Sequence, residues 1–411
     1  MSNRILSLIA AMVLTLSAFA VDIETARTWY LAGEAMEINV TDDDAIIAYA
    51  ELCDSHGLAA GVAVGLKEGH GTGVLELPSH LHSGYYVLSV YTRHNAQVSH
   101  KLIAVVNPLR KSKDDDIQWI RNSHPDSLSY SSIAEGDGFS MADLVSEKTV
   151  DVREIEGHII KARVENSHDG KTFSGSQIRP SLSIVGKQIH YFEGQMVNDS
   201  MAVFYTYGIH GKRPLVLSAM SSTGVSLPIE MTNPYATLLP KKLPHLVFHY
   251  KRSEVESRSI DMQRHQKAMA SDVTLDYDYD ETVFGTRPDQ TYNLDEYRQF
   301  RTIREVLLEY VTCVTKKKIN DVSQLFVRKE QDQYNTSLPT LVLIDGMPVF
   351  DVERLMKYDA RRIHYINIYT DQFTFGNTVY NGILTFITRS GRLTNYPIEQ
   401  NMQYLEYDFP K

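Results

Sequence analysis

The sequence has little cysteine. Its 411 residues include two, Cys53 and Cys313, which are too few for a disulfide framework and supply too few thiolates for a structural zinc site. We expect both to be buried free thiols that pack as small apolar side chains. A Cys53–Cys313 disulfide stays open as the alternative, because an exported chain meets an oxidising compartment.

Long apolar runs are equally scarce. After residue 20 no stretch offers about 18 consecutive apolar residues, so no transmembrane helix is expected in the mature chain. The apolar run that exists, Ile5–Leu16, follows a basic start and precedes Ala18-Phe19-Ala20, the small-x-small pattern of a cleavage site. We expect residues 1–20 to be a secretory signal peptide; an N-terminal membrane anchor is the alternative.

Positive charge is in deficit. Lys and Arg number 41 against 51 Asp and Glu, which gives a formal net charge of −10. Nucleic-acid-binding domains usually carry a basic patch or stripe, so no nucleic-acid partner is expected. A local basic triplet, Lys316-Lys317-Lys318, is interpreted as a solvated loop, with contact to anionic lipid headgroups as the alternative.

Catalytic motifs are missing too. The sequence contains neither Gly-x-Ser-x-Gly nor His-Glu-x-x-His, and Gly69–Gly73 lacks the Gly-Lys-Ser/Thr ending of a phosphate-binding loop. His80 and His82 lie two apart, but a metal site needs a third ligand and a supporting shell. We interpret them as loop histidines near a turn, and expect no catalytic, cofactor or metal site.

What the sequence does contain is period-two alternation of apolar residues, which predicts β-strands with one buried face. In the N-terminal part this pattern covers residues 36–40, 62–66 and 84–92, separated by turn signals. Short strands at this spacing predict an antiparallel sandwich over residues 21–107.

Two motifs in this region carry a resemblance. Tyr30-Leu31-Ala32-Gly33-Glu34 and the segment Gly84–Val90 resemble the macroglobulin-type (MG2-type) sandwich domains of alpha-macroglobulins, which run Tyr-x-x-Gly-Glu/Gln into the first strand and Gly-x-Tyr-x-Leu into a late one. The thioester motif of the protease-trapping members, Cys-Gly-Glu-Gln, does not occur. The resemblance therefore implies the fold without the trapping chemistry.

Further along, strand patterns return at 156–164, 181–186, 202–208, 214–219 and 246–250, and predict a second β-sandwich over 151–250. Residues 108–150 are interpreted as a linker or a surface excursion. Residues 251–290 are interpreted as a charged linker, within which 259–270 could form a polar helix.

The spacing of apolar residues changes after residue 290 from that of strands to that of a helix. Ile303, Val306, Leu307 and Tyr310 form the apolar stripe of an amphipathic helix predicted over 294–311. The apolar strands Leu341–Ile344 and Leu384–Ile387 are expected to pair in one sheet that this helix covers. Asp345-Gly346 predicts a tight turn, with Gly346 at positive φ because glycine tolerates that conformation.

This C-terminal part, residues 291–391, resembles the plug domain of TonB-dependent outer-membrane receptors. The matching pieces occur in the family's order, and they are Ile344-Asp345-Gly346-Met347-Pro348-Val349, Ile363–Ile368, Phe375-Gly376 and Asn381–Gly391. A receptor continues into a membrane barrel, whereas only a polar tail, residues 392–411, follows here. The resemblance therefore implies a plug-like domain without a barrel, which is not itself a pore.

A plug without its barrel implies a free surface. We expect a partner-docking loop at Phe373, Phe375, Gly376 and Tyr380, where aromatic residues flank a glycine. The alternative is that these rings close the core of their own domain. Asp345 and Gly346 are predicted to be structural rather than to contact a partner.

Together these features predict a mainly β protein with a C-terminal α+β module: two β-sandwich domains followed by a plug-like sheet-and-helix domain. The expected function is that of a non-enzymatic exported envelope protein, periplasmic and associated with the outer membrane. It would act as a protein-interaction module or as an accessory of an outer-membrane transport or assembly complex. Two alternatives stay open, a carbohydrate- or peptide-binding protein that uses sandwich loops, and a hydrolase whose site is assembled from distant residues.

Overall fold

A computed structural model describes residues 21–94, 97–124, 127–144, 153–155, 157–271, 282–319, 322–328 and 338–411. The expected signal peptide lies outside the described residues, as does the 272–281 part of the expected charged linker. β-Strands dominate the described chain, in agreement with the predicted fold class.

The strands and helices are numbered in chain order. The first ten strands are β1 (Asp22–Thr25), β2 (Trp29–Leu31), β3 (Ala35–Thr41), β4 (Ile47–Cys53), β5 (Leu58–Gly65), β6 (His70–Glu76), β7 (Gly84–Thr92), β8 (Val98–Val106), β9 (Ile117–Arg121) and β10 (Tyr130–Ile133). The next ten are β11 (His158–Val164), β12 (Ser167–His168), β13 (Lys171–Thr172), β14 (Ile178–Ile184), β15 (His190–Glu193), β16 (Gln195–Met196), β17 (Met201–Thr206), β18 (Gly211–Ser221), β19 (Ile229–Met231) and β20 (Leu246–Tyr250). The remaining ones are β21 (Gln290–Asn293), β22 (Val314–Ile319), β23 (Val322–Val327), β24 (Leu341–Ile344), β25 (Met347–Pro348), β26 (Ile363–Phe375), β27 (Thr378–Thr388) and β28 (Gln403–Phe409). The α-helices are α1 (Arg252–Ser271), α2 (Ile303–Glu309) and α3 (Val352–Lys357).

The chain divides into two compact units that interleave along the sequence. Unit 1 combines the residues up to Ile155 with Tyr235–Ser271 and Lys411, and unit 2 combines residues 156–234 with 272–410. This division differs from the linear series of domains that the sequence predicts, because each unit takes segments that are far apart in the chain.

Unit 1 is built around the five-stranded sheet β2-β8-β7-β4-β5. One face packs on the three-stranded sheet β1-β3-β6, where Ile38 of β3 meets Tyr86 and Leu88 of β7 in a shared core. This sandwich confirms the predicted strands at 36–40 and 84–92. Strand β7 is buried on both faces, however, and not on one as its alternation predicts.

The second face of that sheet is covered by β20 and α1. Tyr85 and Val106 pack there against Phe248, Val255 and Met262. Strand β20 pairs in parallel with β9 and antiparallel with β10. The expected linker at 108–150 therefore contributes two strands, and residues 246–250 belong to unit 1 rather than to the second sandwich.

Unit 2 contains the second sandwich. Its two sheets are β16-β17-β11-β19 and β15-β14-β18-β28, and Ile160 and Phe204 of the first meet Leu182 and Leu217 of the second in a common core. Strand β28 pairs antiparallel with β18 over seven positions. The residues expected to be a C-terminal tail therefore supply an edge strand of this sandwich.

A mixed sheet, β21-β26-β27-β24-β25, completes unit 2. Strands β24 and β27 pair in parallel, with Val342 opposite Leu384, which confirms the predicted pairing. Helix α2 covers the sheet through Ile303, Val306 and Leu307, but it begins later than predicted. Its start is set by a capping box in which the Thr302 side chain and Glu305 exchange hydrogen bonds with each other's backbone N–H groups.

The core under α2 is shared with the sandwich. Val185 and Val216 belong to the same buried cluster as Ile344 and Phe386. Residues 291–391 are therefore part of a larger compact unit and do not form the separate domain that the sequence predicts.

Candidate functional site

The turn at Asp345-Gly346 connects β24 to β25 and is the best-anchored part of the candidate site. Both residues have positive φ, 45° and 92°. The buried Asp345 carboxylate accepts hydrogen bonds from the Thr388 N–H at 2.7 Å, the Thr388 hydroxyl at 2.5 Å and the Leu393 N–H at 2.7 Å. Burial raises the pKa of Asp345, and the Thr388 hydrogen bonds oppose this rise.

Gly346 is confined by space as well as by conformation. A β-carbon at this position would lie 2.6 Å from the Ile184 carbonyl oxygen and 3.2 Å from a side-chain carbon of Ile189. The Gly186 N–H donates to the Asp345 carbonyl oxygen at 2.9 Å. The predicted structural turn is present, and it is where the mixed sheet meets the sandwich within unit 2.

The expected docking loop is the hairpin turn between β26 and β27. Phe373, Phe375 and Tyr380 are half-buried and pack against the buried Tyr191 and Tyr369. The ring centroids of Phe375 and Tyr191 lie 5.0 Å apart in an edge-to-face arrangement. The rings therefore contribute to the core of their own unit, which is the alternative stated above.

The tip of this loop, Gly376 and Asn377, is exposed. Gly376 has a φ of 54°, which allows the tight connection between the two strands. Docking of a partner at Phe373, Phe375, Gly376 and Tyr380 therefore stays a prediction.

A polar group links this hairpin to strand β15. The Glu193 carboxylate accepts a hydrogen bond from the Thr378 hydroxyl and another, at 3.4 Å, from the Tyr380 hydroxyl. The Tyr380 and Tyr191 hydroxyls lie 3.1 Å apart. Burial raises the pKa of Glu193, that of Tyr191 to about 12, and that of Tyr380 well above its ordinary value. Both tyrosines therefore stay protonated at neutral pH and act as hydrogen-bonding anchors.

Sequence reasoning missed Glu193 and Tyr191. They lie in the second sandwich region, far along the chain from the hairpin that they contact. No local motif marks them, because a single glutamate at a strand end has no distinctive sequence context. A signal would have to come from knowledge of which strands are neighbours.

A third anchored carboxylate lies near the start of α3. Glu399 is buried and accepts hydrogen bonds from the N–H groups of Phe350 at 3.0 Å and Asp351 at 3.1 Å. The Tyr396 hydroxyl donates to it at 3.3 Å. Burial raises the pKa of Glu399. This residue belongs to the expected tail, and its contacts tie that segment to the mixed-sheet region.

Glu399 borders an open cavity of about 660 Å³. At its rim, Glu353 accepts hydrogen bonds from the Lys316 ammonium at 2.5 Å and from the Ser323 hydroxyl at 2.6 Å. The Lys316 hydrogen bond is the main cause that lowers the pKa of Glu353 to about 2. The lysine triplet lies in β22, so it forms part of a strand rather than the solvated loop that the sequence predicts.

Metal centres and helical membrane spans are absent from the described ranges. These ranges contain no group of three His, Cys, Asp or Glu side chains that could hold a metal ion, and no helix long and apolar enough to span a membrane. Cys53 and Cys313, which both lie in the described chain, form no disulfide. Burial raises the pKa of the Cys53 thiol to about 12, as expected for a cysteine that packs as an apolar side chain.

Comparison with known proteins gives weak similarity. No protein-family model and no curated protein sequence matches the chain. Among solved structures it is similar to the BSP domain of a biofilm-associated protein, at 10% identity and a TM-score of 0.19 over 57% of this chain and 30% of that one. Elastase-activated alpha-2-macroglobulin of Escherichia coli is similar at 12% identity and a TM-score of 0.20, over 54% of this chain and 20% of that one. Fibronectin(III)-like modules of Clostridium thermocellum CbhA are similar at 10% identity and a TM-score of 0.16. This match covers 56% of this chain and 94% of that one.

These similarities do not identify a family. The TM-scores are too low to support an argument about fold or activity, and the chain spans 30% or less of the first two structures. An alpha-macroglobulin is among the similar structures, but at a TM-score of 0.20 it neither supports nor opposes the N-terminal resemblance. The plug resemblance rests on its sequence motifs alone.

Proposed function

We propose that this chain is an exported, non-enzymatic protein-interaction module of the cell envelope, located in the periplasm at the outer membrane. It would serve there as an accessory of a transport or assembly complex. The observation that carries the proposal is the burial of many tyrosine side chains in the protein core. An exposed edge strand and the hydrogen bonds that neighbouring groups donate to the buried carboxylates support it.

Tyrosine is abundant in this sequence, with 24 residues. An open tyrosine groove would favour binding of a carbohydrate, which stacks on exposed aromatic faces, whereas tyrosines in cores favour a scaffold. Among the described residues, the buried tyrosines are Tyr30, Tyr49, Tyr85, Tyr86, Tyr91, Tyr191, Tyr369, Tyr396 and Tyr407. Their burial supports the scaffold function over the alternative of a carbohydrate-binding protein.

The acids of the candidate site support the same choice. Glu193, Asp345 and Glu399 each have their carboxylate engaged by neighbouring O–H or N–H groups. A carboxylate held in this way orients the backbone and joins strands. It has no need of a substrate to complete its hydrogen bonding, so a structural role accounts for it.

Strand β28 offers a route for a partner. It is the edge strand of the sheet β15-β14-β18-β28, and Tyr404, Glu406 and Asp408 are exposed along it. The edge of a sheet presents backbone N–H and C=O groups that an extended segment can pair with. The outward acids favour a partner segment that carries Lys or Arg, because like charges opposite each other are destabilising. We propose that such a segment of an envelope protein adds to this edge.

Site-specific photocrosslinking in cells tests this function. A photoreactive phenylalanine analogue placed at Tyr404 should crosslink to one envelope protein, and fractionation should place the adduct with the outer membrane. Tyr205 is the matched control, since it is an exposed tyrosine of the same unit on β17, which lies between two other strands. We expect no adduct from the Tyr205 position.

Two results would contradict the proposal. Equal adducts from both positions would indicate nonspecific contact, and no adduct from either would remove the support for an edge-binding partner. Recovery of the chain from the cytoplasm, with residues 1–20 intact, would contradict the proposed export.

A further inference from the structure

The hairpin of β22 and β23 is anchored at one end and exposed at the other. The two strands pair antiparallel, from Val314 opposite Val327 to Ile319 opposite Val322. At the first end, Val314 and Val327 pack on the core under α2. At the second end, Ile319 and Val322 are 40% and 36% exposed. The hairpin therefore holds a cross-strand pair of β-branched apolar side chains at its exposed end.

Both faces of β22 reach solvent at this end. Four consecutive residues, Lys316–Ile319, are exposed, and successive side chains of a strand point to opposite faces. A strand that packs on one face alternates instead between buried and exposed residues, as β3 does. Strand β23 changes at the same place, since Leu325–Val327 are buried and Val322 is exposed. This end of the hairpin can therefore contact an extended surface.

The hairpin is basic, although the whole chain is acidic. Residues 314–328 contain three lysines and one arginine against one acid, a net charge of +3 in a chain of −10. That acid, Asp321, lies with Asn320 outside the described residues. Lys317 is exposed, with its Nζ atom 5.5 Å from the centroid of the Phe326 ring. Contacts made by exposed charges contribute little to stability, so the lysines can exchange them for contacts with an anionic surface.

Glu353 offsets part of this positive charge, but a further cation lies beside it. The Glu353 carboxylate accepts hydrogen bonds from the Lys316 ammonium at 2.5 Å and the Ser323 hydroxyl at 2.6 Å. These bonds lower the pKa of Glu353, and the charge of Arg304 on α2 lowers it further. Arg304 therefore belongs to the same surface as the lysines, and the basic groups named here outnumber the carboxylate between them.

We propose that the exposed end of the hairpin, through Lys317, Lys318, Ile319 and Val322, binds the surface of a lipid bilayer that carries anionic headgroups. The negative potential of such a surface attracts lysine ammonium groups. The aliphatic stem of a lysine lies along apolar material while its charge stays at the headgroups. Ile319 and Val322 then leave water for the boundary between headgroups and acyl chains, which interfacial elements enter by about 5–10 Å.

An acidic protein segment is the competing partner. It would attract the lysines, but it gives no reason for an apolar pair at the exposed end of the hairpin. A bilayer surface accounts for both features, because it offers anionic headgroups next to apolar chains. Lipid contact is the alternative that the sequence leaves open for the lysine triplet. It does not involve β28, so it can hold or fail independently of the partner segment proposed above.

Co-flotation of the full mature chain with lipid vesicles tests the proposal. We expect the chain to bind vesicles of equal parts phosphatidylglycerol and phosphatidylcholine, and to bind vesicles of phosphatidylcholine alone far more weakly. High salt should release it, because salt screens the charges.

Two double variants divide the charge from the apolar pair. One lysine near an anionic surface contributes about fivefold to binding, so Lys317→Gln combined with Lys318→Gln should weaken vesicle binding about 20-fold. Ile319→Ser combined with Val322→Ser should weaken it by about fivefold or more, because the apolar side chains no longer gain by leaving water. All four residues are exposed, so these variants are expected to fold, and circular dichroism verifies this.

Matched controls remove exposed side chains elsewhere. Lys241→Gln combined with Lys242→Gln removes another adjacent lysine pair, and Val197→Ser removes an apolar side chain of a residue that is 65% exposed. Both controls should bind the vesicles as the wild type does. The proposal is overturned if the wild type does not bind the phosphatidylglycerol vesicles, or if the controls weaken binding as much as the hairpin variants. It is also overturned if polyglutamate binds more tightly than the vesicles and the variant of Ile319 and Val322 binds vesicles like the wild type, since an acidic protein is then the partner.

Discussion

The carbonyl oxygen of Ile184 lies 2.6 Å from the position that a β-carbon on Gly346 would occupy. Real β-carbons essentially never approach an oxygen so closely, and Gly346 also has a φ of 92°. Conformation and space therefore both require glycine at the turn between β24 and β25.

Gly346→Ala should accordingly cost more than backbone strain alone. A left-handed conformation costs a residue with a side chain about 1–2 kcal/mol, and the contact with Ile184 adds to this. Gly224→Ala is the control, since Gly224 has a φ of 82° and no atom within 4 Å of the added carbon. Urea denaturation monitored by circular dichroism measures both variants. Equal losses of unfolding free energy would contradict the steric argument.

Glu193 is expected to make stability depend on pH. Its pKa in the folded chain is raised, chiefly by burial, above the ordinary value of 4.5. For an acid shifted in this direction, the stabilising contribution is fully present below pH 4.5 and is lost as the pH rises through the folded pKa. Glu193→Gln removes this loss, so its unfolding free energy should fall less than that of the wild type between pH 4.5 and 7. If the unfolding free energies of the two proteins change with pH in parallel, Glu193 is not the source of the pH dependence.

Unit 1 contains a buried ion pair. Arg93 Nη1 lies 2.9 Å from Glu154 Oε1, with the two side chains 7% and 3% exposed, and the Tyr49 hydroxyl donates to the same oxygen at 2.6 Å. Removing one partner of a buried pair typically costs 3–5 kcal/mol, because the other charge stays buried. We expect Arg93→Ala to lose about this much unfolding free energy.

The exposed pair Arg264–Asp261 serves as its control. Surface pairs contribute about 0–1 kcal/mol, so Arg264→Ala should be nearly neutral. Denaturation curves give the unfolding free energy of both variants. A small loss of unfolding free energy in Arg93→Ala would show that Glu154 reaches solvent or another partner when Arg93 is gone.

Glu353 should titrate near pH 2, because Lys316 and Ser323 donate hydrogen bonds to its carboxylate. Lys316→Met removes the larger of these influences and should move the titration toward the ordinary value of 4.5. Side-chain carboxyl chemical shifts followed by NMR give both values. If the titration of Glu353 does not move, Lys316 is not the cause.

Local elements were predictable from the sequence. Alternation at Met36, Ile38 and Val40 located β3, and the apolar runs Leu341–Ile344 and Leu384–Ile387 located two strands that do pair. These features follow from the period of side chains along a strand, which a short window of sequence contains.

Partner choice was not predictable in the same way. The pattern at 246–250 marks a strand but does not say that it pairs with β9. Residues 251–290 are predicted to be a charged linker that could contain a polar helix at 259–270, because the segment is rich in charged side chains. The position of α1 depends on contacts that the sequence does not show, namely the core packing of Val255 and Met262 and the Arg258 guanidinium, which lies 3.7 Å from the centroid of the Trp29 ring and is paired with Glu34. The same limit applies to the candidate site, where Glu193 meets the hairpin only in the folded chain.

The interleaving of the two units has a consequence for synthesis. A ribosome delivers the chain from its N-terminus, so β9 and β10 emerge before residues 157–234, whereas their central partner β20 emerges after them. Part of the apolar surface of the nascent first unit therefore stays uncovered until a large segment of the second unit has been translated. A premature stop within residues 157–234 would release a chain in which β9 and β10 have lost the strand between them, and such a product should be a target for chaperones and proteases rather than a functional fragment.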